Sequence, residues 1–440
     1  MMKLLDEINF LISKIEISIK SKKSYFSDIK KEHINLYKNH GLSSHLRKSN
    51  KNKKYHRIFK HINSIFHKEY SIMENTTVNH QIKYGDIQDF LLLKKSFLSI
   101  SLDGKYNISY PVFQDRNNIF ISNIISQNVL KIKKYYGKLY NEYNPYYSLN
   151  TIFSKDGIFI YIPNNTILNK PIEIFHLFTG SKSKSFFNIR KLIIIGKESS
   201  VQIVEHFKCL KKSSILINSV NEIHSLNKSN IEYYNIQNNS KNTSIIDNTF
   251  FHQKKDSNCT IYTFSLGGDL IQNHLNFFSC GIRTNSSLYG LSFLSKNEYL
   301  NNSTLIHHLS SYSSSYQLYK NIVSENSSGI FNGKIIVNQS TKGVNAFQKN
   351  KNILLSNYSN VSSIPQLEIF SKDVKCSHGC TIGYIQKNEL FYLQSRGISK
   401  KKSKILLLLS FLEELLHNIH LISLKKFIYQ RINKKLEKYL

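Results

Sequence analysis

The pattern of apolar and polar positions changes twice along this 440-residue chain. Up to about residue 90 the spacing is helical. "LLDEINFLISKIEISI" repeats apolar residues at steps of three and four, and "HRIFKHINSIFHKEY" does the same with Ile58, Phe59, Ile62, Ile65 and Phe66. Between them "SSHLRKSNKNKKY" (43–55) is polar and basic and reads as a solvated linker. From about Lys95 to Ser371 the texture becomes short β-prone runs separated by Asn, Ser, Gly or Lys turns, among them "SFLSISLDG", "KLIIIG", "SILINSV", "SNIEYYNIQ", "HLNFFSC" and "SGIFNGKIIV". Helical segments are missing over most of this stretch, which argues against a doubly wound α/β fold. So many short strands with short polar turns predict a mainly β protein with a parallel β-helix core, although no exact repeat is visible. After Gly383 helices return: "NELFYLQSRGIS" with Asn388 as N-cap and Gly397 as stop, "SKKKSKILLLLSFLEELLHNI" from Ser399, and "LISLKKFIYQRINKKLEKYL". The expected organisation is a helical domain over 1–94, a β-helix over 95–384 and a helical domain over 385–440.

Composition changes this picture little. The chain carries 60 basic and 29 acidic residues, a net charge of +31, which on its face suggests a nucleic-acid partner. The same chain is rich in Lys, Asn, Ile, Tyr and Phe, has no Trp and only five Pro, a set that follows A/T-rich codons. Its basic residues are also dispersed rather than confined to one module, so base-composition bias accounts for much of the charge; a nucleic-acid partner is the alternative, and an acidic protein partner would suit the surface as well. Five irregularly spaced cysteines do not make a disulfide framework and fit a reducing compartment. The first residues read as an amphipathic helix rather than a secretory segment, and Ile405 to Leu412 falls far short of the roughly 20 apolar residues of a membrane span. A cytoplasmic protein without membrane contact is expected.

Candidate chemistry concentrates in "DVKCSHGC" (373–380). On a strand, Cys376 and His378 share one face about 6–7 Å apart, a spacing at which thiolate and imidazole can both approach one iron or one cluster edge. Two residues do not complete a site. Cys380 joins that face only if the strand runs on through Gly379, which the glycine argues against. A Cys–His nucleophile would need an orienting third group and an oxyanion hole, and from local spacing alone ordinary buried soft residues at a strand end are the preferred reading, ahead of a metal site and then a nucleophile. His307 and His308, being adjacent, face opposite ways on a strand. "GGDL" (267–270) lacks the Lys-Ser/Thr of a phosphate loop, and no carboxylate pair suits glycoside cleavage. Neither nucleotide hydrolysis nor polysaccharide cleavage is indicated.

"SKDVKCSHGCTIGYIQKNELFYLQSRGIS" (371–399) resembles the conserved end of the SufB/SufD family of Fe–S cluster assembly proteins, with its "HGAT-G" and "LFYL-SRGI". "SLNTIFSKDGIFIYIPNNTILNKPIEIFHLF" matches the family's "N-A---DG---IP------PI", and the stretch from "STLIHHLSSYSSS" to "NKNILLS" matches its core. The resemblance covers roughly 95–425, and the Cys-Ser-His-Gly order, modest length and helical ending favour the SufD group over the SufB group. The resemblance implies a right-handed β-helix between helical domains. It also implies a non-catalytic scaffold role, pairing with a SufB-like paralogue, and docking of a SufC-like ABC ATPase through residues 388–419. By position His378 matches an interface ligand for iron or a transient cluster shared with SufB. Cys376 has a weaker claim, Cys380 is a possible ligand, and His308 matches a core histidine of structural character. The ATPase-docking set would include Leu390, Phe391, Tyr392, Leu393, Arg396, Gly397, Leu408, Phe411 and Leu412. No sequence feature calls for a flavin. Three departures stand out. Cys380 replaces the family's Ala, and His307 replaces its usual Asp. The N-terminal "GLP---E-WKYT" survives only as "GLSSHLRKSNKNKKY".

Overall fold

Short runs with apolar residues on alternate positions need a second sheet to bury them. In the computed structural model they obtain it by winding. Residues 4–20, 24–42, 71–72, 85, 87–110, 119–127, 129–139, 143–154, 156–180 and 184–439 are described. The chain forms a parallel β-solenoid of about eight turns, with 47% of it in strands. Successive strands alternate between two ten-stranded sheets. Leu270 is in register with Tyr299, and Tyr299 with Ser328, so these coils are 29 residues apart. The expected β-helix is therefore present. Its strands are longer than the runs that announced them. "SILINSV" is part of Ser214–Ser225, and "KLIII" of Lys184–Ile195, each strand of 12 residues. These two strands are covered on both faces, so polar residues inside them do not mark their ends.

One interior column is apolar: Ile193, Ile223, Phe251, Phe277, Ile306 and Ile335 lie in register and are buried, with Phe251 and Phe277 stacked at 4.4 Å. Another is polar. Glu205, Asn235, Thr263, Gly290, Tyr319 and Asn350 follow one another coil by coil. Burial alone would raise the Glu205 carboxyl. Lys191 and His176, both bonded to it, hold it instead at about 2. Gly290 is required by this column, because a Cβ there would sit 2.1 Å from the Tyr319 ring.

Helices flank the solenoid and cover part of its outer faces. These are α1 (Leu4–Lys20), α2 (Tyr25–His40), α3 (Val129–Tyr135), α4 (Pro145–Phe153), α5 (Lys387–Ser395), α6 (Lys400–Leu416) and α7 (Ile422–Tyr439). Three of them, α1, α2 and α4, pack on one sheet through Ile8, Ile34 and Leu149. Beneath α4, Arg190 pairs with Glu222 at 2.6 Å and lies against the Tyr136 and Tyr147 rings. Sequence patterning had no helix at 145–153. The missed signal is Asn144 before Pro145: the Asn side chain accepts from the amides of Tyr146 and Tyr147, and proline suits the first helical position. On the other sheet, α6 and α7 lay Leu412, Leu416, Ile428 and Ile432 over the stacked rings of Tyr234 and Tyr262. Helix α1 forms as expected, whereas "HRIFKHINSIFHKEY" and the 43–55 linker lie outside the described residues.

The two ends of the solenoid differ. At the N-terminal end, Lys105–Tyr110 and Phe120–Asn123 add antiparallel to the edges of the two sheets. At the C-terminal end Asn360–Ile369 and Val374–Gly383 are the last strands of their sheets, each paired on one side only.

Candidate functional site

Val374–Gly383 alternates Val, Cys, His, Cys and Ile at even positions, a pattern suited to a strand with one distinct face. The strand runs unbroken through Gly379, contrary to the sequence expectation. Gly379 needs no special conformation, and a Cβ there would meet nothing within 4 Å. Cys376, His378 and Cys380 are therefore on one face together. Their register partners in the preceding coil are Ala346, Gln348 and Asn350, all buried in the interior. The three residues continue the interior columns to the last coil. No described strand stacks on them, so His378 and Cys380 are exposed while Cys376 is half-buried.

Cys376, with Val374, still packs against the apolar interior. Burial pushes its thiol up, partly offset by a hydrogen bond from the Ala346 backbone. A raised thiol is the opposite of an activated nucleophile, which disfavours Cys–His catalysis. Metal ligation survives as a reading, but incompletely. Among the described residues no group of three or more His, Cys, Asp or Glu could hold a metal ion. The same strand thus offers soft ligands in an open row and lacks the rest of a coordination sphere.

His308 is not brought to this row. It sits inside the opposite sheet, two coils back, where Val337 and then Ile369 follow it in register. Its Nε2 is 2.9 Å from the Ser315 hydroxyl, and burial, helped by neighbouring His307, lowers it to about 4. This corrects its place among the candidate ligands: it is an interior hydrogen-bonding group. His307 faces outward towards Asn338, as alternation required.

After the strand the chain enters α5, which begins after Gln386 rather than at Asn388 and has no buried residue. Phe391 is 72% and Tyr392 58% exposed, and Leu390 and Leu393 are half-buried. The Arg396 guanidinium lies 5.6 Å from the Tyr392 ring centre. Gly397, at φ 82°, ends the helix in the left-handed conformation expected of it. Ser399 caps α6, accepting from the Lys402 amide. A second correction concerns Leu408 and Leu412. Both are fully buried against the chain's own sheet and present nothing to a partner. Phe411 is half-buried under Lys320, whose ammonium bonds Glu414 at 2.6 Å. Those residues hold α6 to the solenoid, while α5 carries the exposed aromatic pair Phe391 and Tyr392.

Residues 178–411 match the family model described as SUF system FeS cluster assembly, SufBD core domain, and residues 115–174 match the SufBD protein N-terminal region. The chain is 27% identical over 320 residues to an iron–sulfur cluster assembly SufBD family protein of Synechocystis, covering 71% of each chain. It is 32% identical over 182 residues to the iron–sulfur cluster assembly protein SufD of Escherichia coli, covering 41% of this chain and 43% of that one. With the chloroplastic protein ABCI7 of Arabidopsis thaliana it shares 27% over 279 residues, or 62% of this chain and 58% of the relative. The last two matches span less than two thirds of the relatives' lengths.

Proposed function

This chain belongs to the SufBD family of SUF-system Fe–S cluster assembly proteins, and we propose that it is the SufD-type scaffold subunit of such an assembly. Its terminal coil pairs with a SufB-like paralogue. The exposed aromatic helix α5, with Phe391, Tyr392 and Arg396, docks a SufC-like ATPase, in which the ATP chemistry resides. His378 supplies an imidazole and Cys376 a thiolate to iron or a nascent cluster, and the partner supplies the remaining ligands. The observation that carries this reading is the row Cys376–His378–Cys380 on the last described strand of its sheet, with no complete ligand set among the described residues.

In this reading each group has a task. Strand pairing across the free edge would place partner ligands about 5 Å away, within reach of a shared metal. Soft thiolate with imidazole suits iron and Fe–S chemistry over hard cations. The cluster is cargo, so an exposed, incomplete ligand row serves both loading and release. Co-expression with the paralogue and the ATPase tests this. His378→Ala should leave the three-protein complex intact on size exclusion while cluster absorbance on anaerobic reconstitution falls at least tenfold. Normal loading by the variant would remove His378 from the ligand set.

A further inference from the structure

The interior around Glu205 holds an unbalanced charge. Burial, with Lys191 close by, lowers His176 to about 4, so its imidazole is neutral. The buried Tyr233 hydroxyl, pushed well above its ordinary value, is neutral too. That leaves two carboxylates, Glu205 and Asp247, and one ammonium, Lys191, all of them buried. Lys191 is bonded to Glu205. Asp247 receives neutral donors instead: Asn221 at 3.4 Å, Asn235 at 3.2 Å, Thr249 at 3.0 Å, and Ser219. Enclosing a carboxylate without a cation is costly. Beside it lies a cavity of about 10 Å³, room for one water-sized occupant. Asp247 and Thr249 line it from one sheet, Asn235 and Thr263 from the other. Asn235 is 2% exposed and donates its amide N–H to Asp247, but its Oδ1 has no hydrogen-bond partner. A buried acceptor left unpaired costs free energy, and this one stands on the cavity wall.

We propose that this cavity is a cation site that takes one dehydrated Na+ ion, held by the Asp247 carboxylate, the Asn235 amide oxygen and the hydroxyl oxygens of Thr249 and Thr263. All four are hard oxygen donors, which disfavours the soft metals that thiolate and imidazole select. One carboxylate among neutral oxygens balances a monovalent ion and leaves a divalent one in excess. Mg2+ keeps several of its waters, and Ca2+ takes six to eight oxygen ligands, more than a cavity of this size can bring to it. The small volume also favours Na+ over the larger K+. Asp247 and Thr249 belong to the strand Thr243–Gln253 of one sheet, and Asn235 and Thr263 to Asn230–Asn238 and Asn258–Gly267 of the other. The ion therefore braces the two sheets across the interior. It also gives the orphaned Asn235 oxygen a partner and neutralises the charge that Lys191 leaves over. The site is built by this chain alone and needs neither the terminal strand nor any protein partner.

Equilibrium unfolding of the full-length chain in urea tests this, because refolding loads the site without a path through the folded coils. At pH 7.5 and constant ionic strength the unfolding midpoint should be highest in NaCl, lower in KCl and lowest in choline chloride. The increment should saturate as Na+ replaces choline. Burial, with Glu205 nearby, raises Asp247 to about 6, so at pH 5 the carboxyl is mostly protonated and the Na+ increment should fall severalfold. Thr263→Val keeps the side-chain shape and removes none of the donors to Asp247. It should raise the Na+ concentration giving half the increment at least tenfold. Asp247→Asn should be more stable than the parent in choline at pH 7.5, and NaCl should narrow that gap by stabilising the parent alone. Equal midpoints in all three salts would mean that the cavity holds a single water only, and would overturn the proposal. A higher midpoint in KCl than in NaCl would overturn the assignment to Na+. A Na+ increment unchanged in both variants would put the ion elsewhere and overturn this site. If Asp247→Asn fails to fold, Thr263→Val and the pH 5 measurement decide.

Discussion

His308 shows how a histidine in a candidate list turns into a structural group. Its folded pKa of about 4 lies below the ordinary 6.5, so the folded chain binds fewer protons there than the unfolded chain. The sign follows: stability contributed by neutral His308 is present above pH 6.5 and is lost as pH falls towards 4. A change of that size corresponds to roughly 3 kcal/mol at most. In urea unfolding measured across this range, His308→Gln should show a shallower loss of stability than the parent. Two glycines make a second contrast. Gly290→Ala places a methyl into the Tyr319 ring and should cost about 1–3 kcal/mol of unfolding free energy, while Gly379→Ala meets no atom and should cost less than about 0.5. The strongest residue-scale reading of the sequence, Cys376 with His378 on one face, needed only strand parity. Cys380 was misjudged because glycine is a poor strand former on average. At an edge strand held by ten register positions that preference is overridden by the ladder.

Among the elements, amphipathic α6 and α7 and the β-rich middle were legible, whereas the coil period was not. The repeat lies in the corners rather than in the strands. Glu198, Lys228, Asp256, Arg283 and Tyr312 take left-handed φ values of 54–60°, and each precedes a buried Ser or Thr. Ser229 and Ser257 donate to the carbonyls three residues before them, at 2.6 Å each, closing the turn. Intervals of 27–30 residues and side chains of both signs at the left-handed position hid this from a search for identical residues. Chemistry is shared unequally between α5 and α6, and variants should separate them. Leu412→Ala opens a cavity between α6 and the sheet and should cost about 2–5 kcal/mol by chemical unfolding, with binding affected only through instability. Phe391→Ala should leave the unfolding midpoint within error and weaken ATPase binding at least tenfold by calorimetry. Equal effects of the two substitutions on stability would show that α5 is buried in solution.

On the scale of the molecule, the fold class could be read from the rhythm of strands flanked by helical ends, and the family from a few short motifs. Interior polarity could not be read, because Lys191, Glu205, His176 and Asp247 look like surface residues until the coils stack them inside. Burial, with Glu205 nearby, raises Asp247 to about 6, so its ionisation opposes the fold at neutral pH. The contribution of protonated Asp247 is complete below about pH 4 and lost as pH rises through 6, opposite in sign to that of His308. Asp247→Asn should therefore raise the unfolding midpoint at pH 7 relative to pH 4, compared with the parent. The unlike ends of the solenoid have a consequence for growth. Strands of six and four residues running against the winding direction blunt one terminus, so stacking can propagate only from the other. Under the pairing proposed for the terminal coil, joining two open termini would exhaust both. Such a molecule counts to two and stops, and a strand edge that in a double-ended solenoid would seed a filament becomes a fixed stoichiometry.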